Sequence, residues 1–320
     1  MESAGVVVKL DRGYPLVRLD NGEQVRCEHA AAVEKAGHVR AVIGDRALVE
    51  LPGGHDKGII RDILPRQTQF VRRDPAERTT GQVLAANFDL VIVVEPIVQL
   101  NFKRLERELV LAHETGARVA VVLTKADLSD EPASVRSQVA DLAGASVAVV
   151  ATSLQDEASI ERARELVGKD EIAILIGKSG VGKSSLVNAL AGRLVQNTAE
   201  VRADGKGRHT TVDRLMVPLP DGGALVDMPG VRGLGLWDAD QGLGMAFEDV
   251  EGFASRCRFR DCSHENEPGC AVRKAVEDGE LAEARVASYR SLAAEIAEVR
   301  ERRAEADRMR GRKASDRRRR

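Results

Sequence analysis

The chain has 320 residues, 43% of them hydrophobic and 31% charged, a composition that fits a soluble globular protein of about two or three domains and excludes a disordered chain. Its formal net charge of −2 argues against a strongly basic nucleic-acid binder. The charge is unevenly distributed, however: residues 302–320 carry ten basic and three acidic side chains, a net charge of +7, which leaves −9 for the rest of the chain. Aromatic residues make up only 3%, which argues against a broad platform for base stacking.

The cysteine content and the apolar runs bear on where the protein works. Four cysteines do not make a disulfide framework, and the N-terminal region has no apolar signal segment. The longest apolar runs, such as residues 90–94 and 172–176, are too short to cross a bilayer. We therefore expect a cytoplasmic protein with reduced thiols and no membrane partner.

Short runs rich in Val and Ile predict strands in the first 70 residues. They cover residues 6–10, 15–19, 24–27, 41–51 and 57–64, with turn residues at 20–22 and 52–54. Five strands at this spacing favour a small β-barrel, with an OB-fold as the first choice. Another small β-sandwich stays open as the alternative.

Strand and helix patterns alternate from about residue 80 to 240. Continuous apolar runs predict buried strands at 90–95, 118–124, 146–151 and 171–176, and helical patterns lie near 102–115, 133–143 and 158–167. This alternation predicts a doubly wound α/β domain with a mostly parallel sheet. After about residue 245 come a Cys/His cluster, a charged helical run at 281–310, and an arginine block at 317–320 that we expect to be disordered.

A complete phosphate-binding motif, G-x-x-x-x-G-K-[ST], follows one of the predicted strands and opens a helix at 185–190. Backbone N–H groups of such a loop converge on phosphate oxygens at a helix N-terminus. Lys183 would reach the β- and γ-phosphates, and the Ser184 hydroxyl would ligate Mg²⁺. A chance glycine-rich turn is the alternative. The expected nucleotide-binding residues here are Gly177, Lys178, Ser179, Gly180, Val181, Gly182, Lys183, Ser184 and Ser185.

Two later segments have the pattern of a nucleotide-dependent switch. Asp227 and Gly230 form a D-x-x-G motif at the end of a predicted strand; Asp227 would hold Mg²⁺ through water, and the Gly230 N–H would contact the γ-phosphate. Thr210 and Thr211 lie before it in a polar stretch. One of these threonines would complete the Mg²⁺ shell when GTP is bound, and the sequence does not decide which.

The strand at 118–123 ends in Thr124, Lys125 and Asp127, which resemble the guanine-binding N-K-x-D motif. The Asp127 carboxylate would accept hydrogen bonds from guanine N1–H and the 2-amino group, a donor pair that adenine lacks, and the Lys125 stem would cover the ring. Thr124 replaces the usual Asn. An aspartate capping a helix is the alternative interpretation.

Thr152 and Ser153 end the next strand and resemble the loop that approaches the guanine oxygen; an ordinary strand-to-helix turn is the alternative. The order of the motifs is unusual, because the guanine motif precedes the phosphate loop. This order predicts a circular permutation of a GTPase sheet. It also places the Gly230 segment directly before the C-terminal region, so that its movement can act on that region.

Cys257, Cys262, His264 and Cys270 supply three thiols and one imidazole within fourteen residues. In a reduced compartment this is a ligand set for one structural, tetrahedral Zn²⁺. Disulfides or buried unliganded thiols are the alternatives. Cys27 stands alone and is expected to be a small buried apolar residue.

Together these residues resemble one family, the circularly permuted, ribosome small subunit-dependent GTPase A proteins of bacteria. The resemblance covers nearly the whole chain and includes the C-x4-C-x-H-x5-C spacing with Glu-Pro before the last cysteine. It implies GTP hydrolysis to GDP and phosphate, stimulated by the 30S subunit, in late small-subunit maturation. We expect a monomer with an RNA-binding OB-fold at 1–72, a GTPase domain at 73–242 and a zinc-binding helical domain at 243–320, the outer two gripping 16S rRNA.

Val231 follows Gly230 where many GTPases have a water-orienting Gln, which implies slow intrinsic turnover. His209 is our candidate for orienting the water once the ribosome orders its loop, and a solvated loop histidine is the alternative. Arg208 is a weaker candidate for charge stabilisation. Arg256, Arg258, Arg260 and the basic tail are candidates for contacts with rRNA phosphates, although the run at 281–310 can also be a solvated helix face.

Two other functions stay open from the sequence. One is an rRNA-binding module that uses GTP only as a structural ligand. The other is a P-loop kinase or metabolic ATPase, which Asp127 weighs against because its carboxylate suits guanine.

Overall fold

The structure, a computed structural model, describes residues 2–11, 14–30, 40–53, 56–73, 81–195, 214–228, 236 and 239–318. Contacts between residues divide the chain into two units. The first unit comprises Met1–Arg72, Gln82–Leu100 and Ala117–Arg232, and the second comprises Arg73–Gly81, Asn101–Gly116 and Gly233–Arg320. The domain boundaries expected at residues 72 and 242 stay predictions.

The N-terminal part of the first unit is a closed five-stranded barrel. Its strand β1 pairs antiparallel with both β2 and β4, β2 with β3, and β4 with β5, while β3 and β5 run parallel. Alternate side chains, among them Val17, Cys27 and Ile60, fill the interior, as expected for strands with one buried face. The predicted barrel is confirmed. Its strands are β1 (Glu2–Asp11), β2 (Tyr14–Leu19), β3 (Gln24–His29), β4 (Arg46–Glu50) and β5 (Gly58–Ile63).

Residues 41–45, predicted as the start of a strand, form a turn before β4. The buried Asp45 carboxylate accepts hydrogen bonds from the Val42 N–H at 2.8 Å and from Arg66 at 2.7 and 2.8 Å. Gly44 has φ +87°, and a Cβ there would lie 1.9 Å from the Ala86 carbonyl oxygen. The turn therefore requires glycine, because any side chain would clash with the segment that leads into the sheet.

The α/β sheet of the first unit has the strand order β10-β9-β8-β11-β13-β12. Neighbouring strands are parallel except β12, which runs antiparallel to β13 and also to barrel strand β1. The predicted doubly wound sheet is confirmed, and β12 is an addition to it. The strands are β8 (Leu90–Pro96), β9 (Arg118–Thr124), β10 (Ala148–Ala151), β11 (Ile172–Ile176), β12 (Arg214–Pro218) and β13 (Ala224–Asp227).

One face of the sheet packs on the helix that follows β11. Ile92, Val94 and Leu175 from the strands form one apolar cluster with Leu186 and Leu190 of this helix. This packing holds the helix N-terminus at the carboxyl edge of the central strands, where ligands bind in open α/β sheets. The helices of the first unit are α2 (Pro132–Ala143), α3 (Glu157–Arg164) and α4 (Lys183–Ala191). Two strands that were not predicted, β6 (Gln69–Arg73) and β7 (Gly81–Ala86), pair with each other.

The second unit is helical and includes the helix between β8 and β9. It comprises α1 (Phe102–His113), α5 (Asp240–Ala246), α6 (Glu248–Ala254), α7 (Ala271–Glu277) and α8 (Glu283–Arg318). Because α8 runs to Arg318, the expectation of a disordered block at 317–320 is wrong for its first two residues. Within the described ranges, the helices lack the long apolar stretch that a membrane crossing needs.

Candidate nucleotide site and metal centre

The phosphate loop joins β11 to α4. Gly177, Gly180 and Gly182 have positive φ angles of 141°, 86° and 102°, which residues with a Cβ rarely adopt. A Cβ at Gly177 would lie 2.3 Å from the Val94 carbonyl oxygen, so the loop also needs glycine where it passes β8. Lys178, Ser179 and Gly180 are exposed at its outer turn, where an approaching phosphate would meet the backbone.

Lys183 opens α4 and is buried, and its Nζ donates hydrogen bonds to the carbonyl oxygens of Gly177 at 2.7 Å and Lys178 at 3.0 Å. The ammonium group is therefore held inside the curve of the loop. Ser184 and Ser185, the next two residues of the helix, are half-buried. This is the arrangement in which a lysine and a hydroxyl can act on the same phosphate group.

The T-K-x-D segment lies at the end of β9 beside the phosphate loop. The buried Thr124 hydroxyl donates a hydrogen bond to the Val181 carbonyl oxygen at 2.6 Å and lies 3.4 Å from the Glu95 carbonyl oxygen. Lys125 has a left-handed backbone with φ +61°, and Asp127 is exposed in the single 3-10 turn that follows. Thr124 thus connects this segment to the phosphate loop, as the usual Asn would be expected to do.

Thr152 and Ser153 form a buried turn next to the T-K-x-D segment. The Ala126 N–H donates to the Thr152 carbonyl oxygen at 2.9 Å. The Ser153 N–H donates to Ser159 Oγ at 3.0 Å, and Ser153 Oγ accepts from the Gln155 N–H at 3.1 Å. The Ala126 bond joins the two loops, and the Ser153 bonds fix the turn itself. A direct contact of Thr152 or Ser153 with guanine stays a prediction.

Asp227 ends β13 opposite Leu175 of β11, so it reaches the same edge of the sheet as the phosphate loop. Its side chain is mostly buried. The Met228 N–H donates to the Leu175 carbonyl oxygen at 3.2 Å and continues the pairing by one residue. The remaining candidates lie outside the described residues: His209, Thr210, Thr211, Gly230, Arg208 and Val231.

Cys257, Cys262, His264 and Cys270 converge in the second unit, with their possible ligand atoms all within 4.8 Å of one another. His264 Nδ1 lies 3.6 Å from Cys257 Sγ and 3.5 Å from Cys270 Sγ, and these two sulfurs are 3.9 Å apart. Such separations match the edges of a tetrahedron with metal–sulfur bonds of about 2.3 Å. The set fits one zinc ion with every position filled by protein.

Two backbone N–H groups support two of the thiols, Cys257 and Cys270. The Ala271 N–H donates to Cys257 Sγ at 3.3 Å and the Arg273 N–H to Cys270 Sγ at 3.4 Å, contacts that stabilise thiolate charge. Burial lowers the pKa of His264, which favours the neutral imidazole that ligates metals. By contrast, burial raises the pKa of Cys27 to about 11, so this thiol stays protonated in the barrel interior, as expected for an apolar residue.

Glu267 stabilises the loop between Cys262 and Cys270. It was not predicted as a site residue. Its Oε1 accepts from the Ser263 N–H and O–H, and its Oε2 from the N–H groups of Glu265 and Asn266, at 2.5–3.1 Å. The Ser263 bonds are the main cause that lowers the pKa of Glu267 to about 2. The Glu-Pro pair before the last cysteine was the sequence feature that could have indicated this role.

The arrangement defines a class of protein, a circularly permuted P-loop GTPase with an N-terminal barrel and a C-terminal Cys₃His cluster. A family model described as RsgA GTPase matches residues 63–237. The chain belongs to the RsgA GTPase family.

Relatives in this family are similar over most of their length. The chain is 43% identical over 293 residues to the small ribosomal subunit biogenesis GTPase RsgA of Streptomyces coelicolor, covering 90% of this chain and 79% of that protein. It is 38% identical over 278 residues to the protein of the same name from Methanosarcina acetivorans, covering 86% of this chain and 74% of that protein.

Two solved structures share the fold. The crystal structure of YjeQ from Thermotoga maritima has a TM-score of 0.70 and 27% identity, covering 92% of this chain and 99% of that one. The crystal structure of YloQ, a circularly permuted GTPase, has a TM-score of 0.69 and 23% identity, covering 93% of this chain and 96% of that one.

Proposed function

We propose that the protein binds the 30S ribosomal subunit, hydrolyses GTP when the subunit stimulates it, and acts in late maturation of the small subunit. The names of the relatives support the role in small-subunit biogenesis. The structural observation that carries the proposal is the hydrogen bond from Thr124 to Val181. It holds the segment expected to select guanine against the loop expected to bind phosphate, as a GTP site requires.

In this proposal the nucleotide lies along the carboxyl edge of the sheet. Lys183 exchanges its bonds to the Gly177 and Lys178 carbonyls for oxygens of the β- and γ-phosphates. The exposed Asp127 carboxylate selects guanine, Lys125 covers the ring, and the turn at Thr152 and Ser153 closes the base side.

Ser184, Asp227 and one of Thr210 and Thr211 are the residues proposed to hold Mg²⁺ with GTP. When bound, the ion neutralises negative charge on the phosphates during transfer. Water attacks the γ-phosphorus, the bond to the β–γ bridging oxygen breaks, and GDP and phosphate result. His209 is proposed to orient that water, and the Gly230 N–H to contact the γ-phosphate.

The Cys₃His cluster is proposed to hold one structural Zn²⁺ per chain. Four protein ligands leave no open position, so the ion serves folding and not hydrolysis. The proposal also includes contacts of the barrel (1–72) and the C-terminal domain (243–320) with 16S rRNA on either side of the GTPase domain (73–242). It describes a cytoplasmic monomer that has no membrane partner.

The test is the rate of phosphate release from GTP and from ATP, with 30S subunits, with 50S subunits and with neither. We expect the protein to hydrolyse GTP but not ATP. We expect 30S subunits, but not 50S subunits, to accelerate this hydrolysis. Lys183→Ala, which removes the phosphate-binding ammonium, should abolish release under all conditions, whereas His209→Ala should keep GTP affinity and lose the acceleration.

The other outcomes separate the alternatives. GTP binding without acceleration by 30S would favour an RNA-binding module with GTP as a structural ligand. Hydrolysis of ATP would favour a kinase or ATPase. Full acceleration of the His209→Ala variant would remove His209 from the mechanism and leave the rest of the proposal intact.

A further inference from the structure

The loop between Cys257 and Cys262 exposes an aromatic ring that the metal centre does not use. Phe259 is 41% exposed, in a chain with only nine aromatic residues, six of them Phe. An exposed ring at the tip of a loop buries little apolar surface in the folded chain, so folding alone does not explain it. A single exposed ring is common on protein surfaces, so the groups around Phe259 must decide whether it has a binding role.

The backbone of this loop is fixed at several points. Cys257 and Cys262 anchor its two ends in the ligand cluster. The Arg258 N–H donates to the Gly269 carbonyl oxygen at 3.3 Å. Gly269 has φ +77° and packs so closely on Arg258 that an added Cβ would lie 3.2 Å from the Arg258 Cβ. The ring is therefore presented from a pre-organised tip, which lowers the entropic cost of binding.

Three exposed arginines surround Phe259 along the chain: Arg256, Arg258 and Arg260. The Arg258 guanidinium lies 5.5 Å from the centre of the Phe259 ring, and that of Arg256 lies 4.5 Å from the centre of the Phe253 ring. Across the described ranges, none of the three forms an ion pair, whereas Arg285, Arg290 and Arg300 of the same unit each pair with a carboxylate. With the exposed Asp261 counted against the three arginines, residues 256–262 carry a formal charge of +2 around the exposed ring.

We propose that this tip binds RNA at an unpaired nucleotide, with the base stacked on Phe259 and the flanking phosphates neutralised by Arg256, Arg258 and Arg260. The choice of RNA rests on the proposed function. An aromatic face beside guanidinium groups is how proteins hold splayed single-stranded bases. One ring serves one base, so the low aromatic content excludes a broad platform but not a single stacking contact.

The experiment measures binding of the full chain to 30S subunits and to protein-free 16S rRNA at several salt concentrations. Phe259→Leu keeps an apolar side chain but removes the π face, and it should weaken both affinities about tenfold with the salt slope unchanged. Phe259→Trp should restore them. Arg258→Gln should lower the salt slope by about one unit and weaken binding to all sequences alike.

Phe102→Leu is the matched control, because Phe102 is 39% exposed and lies outside the tip; it should bind as the wild type does. Zinc content equal to the wild type's checks that Phe259→Leu leaves the cluster intact. A spectroscopic readout comes from Phe259→Trp combined with Trp237→Phe, since the chain has one Trp. Stacking should quench its fluorescence when RNA is added.

Wild-type affinity of Phe259→Leu for both 30S subunits and rRNA would overturn the inference while leaving the proposed function standing. A loss on 30S subunits without a loss on protein-free rRNA would overturn it in favour of a ribosomal protein as the partner. Failure of the wild type itself to bind 30S subunits would instead contradict the proposed function.

Discussion

Thr124 shows how one side chain can take the place of another of different shape in a sequence motif. An Asn amide can reach two partners, whereas a threonine hydroxyl has one hydrogen to donate. Here that hydrogen is directed to Val181 at 2.6 Å in a buried position. The departure from the usual motif therefore keeps the contact to the phosphate loop, which the sequence alone left open.

Thr124→Val should weaken GDP binding by about tenfold, because it keeps the side-chain volume but leaves the buried Val181 carbonyl oxygen without its donor. Isothermal titration with GDP measures the effect. Thr124→Ser, which keeps the hydroxyl, is the control and should bind nearly as the wild type does. Equal GDP affinity for the Val variant and the wild type would show that the bond does not position the guanine motif.

The residues that could be predicted are those whose chemistry lies in one short stretch of sequence. The glycines and Lys183 of the phosphate loop follow from local spacing, and so do the members of the Cys₃His cluster. Thr124 and Val181 are 57 residues apart, so no local pattern connects them. Glu267 was missed because the Glu-Pro pair marks its position but does not display the backbone N–H groups from which its carboxylate accepts.

At the scale of elements, α1 is joined to α8 by two ion pairs of different burial. Glu106 of α1 is buried and accepts from Arg285 at 2.8 Å and from the Ser288 hydroxyl. Arg285 also bonds Asp249 at 3.0 Å and stacks 3.9 Å from the centre of the Phe247 ring. The second pair, Arg107 with Glu295, is bidentate at 2.5 and 2.6 Å but about one-third exposed.

Arg285→Met should lower the free energy of unfolding of the second unit by about 3–5 kcal/mol, because it leaves the Glu106 carboxylate buried without its counter-charge. Arg107→Met is the matched control between the same helices. Since water screens its ion pair, it should cost at most about 1 kcal/mol. Denaturant unfolding followed by circular dichroism measures both, and similar costs for the two variants would contradict the assigned difference in burial.

Strands and helices with a clear apolar pattern in their own sequence could be predicted. Those that form through pairing or packing with elements far away in the chain could not. The apolar runs of β8, β9 and β11 are buried on both faces and were predicted nearly to the residue. β12 is five residues long and gains its pairing from β13 and from barrel strand β1, which lies some 200 residues earlier in the chain. The pattern of α1 predicted a helix, but its grouping with the C-terminal helices depends on Glu106 meeting Arg285.

For the whole molecule, the two candidate sites belong to different units. The described nucleotide motifs, from Thr124 to Asp227, lie in the first unit, and the Cys₃His cluster lies in the second. The hydrogen bonds that brace the phosphate loop and the guanine motif join residues of the first unit only. Loss of metal should therefore affect the two sites unequally.

His264→Ala should reduce the zinc content well below one ion per chain, because a structural site depends on all four ligands. The loop that Glu267 supports should then lose its order, since its two ends are anchored by the cluster, and affinity for 30S subunits should fall about tenfold or more. GDP affinity should change by less than about twofold, because the bonds that brace the nucleotide motifs lie within the first unit. Elemental analysis, sedimentation with 30S subunits and GDP titration measure the three quantities.

Cys27→Ala is the control, because it removes a buried thiol that lies in the barrel and not in the cluster. It should keep one zinc per chain and cost stability only through the cavity it leaves, about 1–2 kcal/mol. A parallel fall of GDP affinity and zinc content in His264→Ala would contradict the independence of the two sites. Such a result would mean that the nucleotide site depends on an intact metal centre.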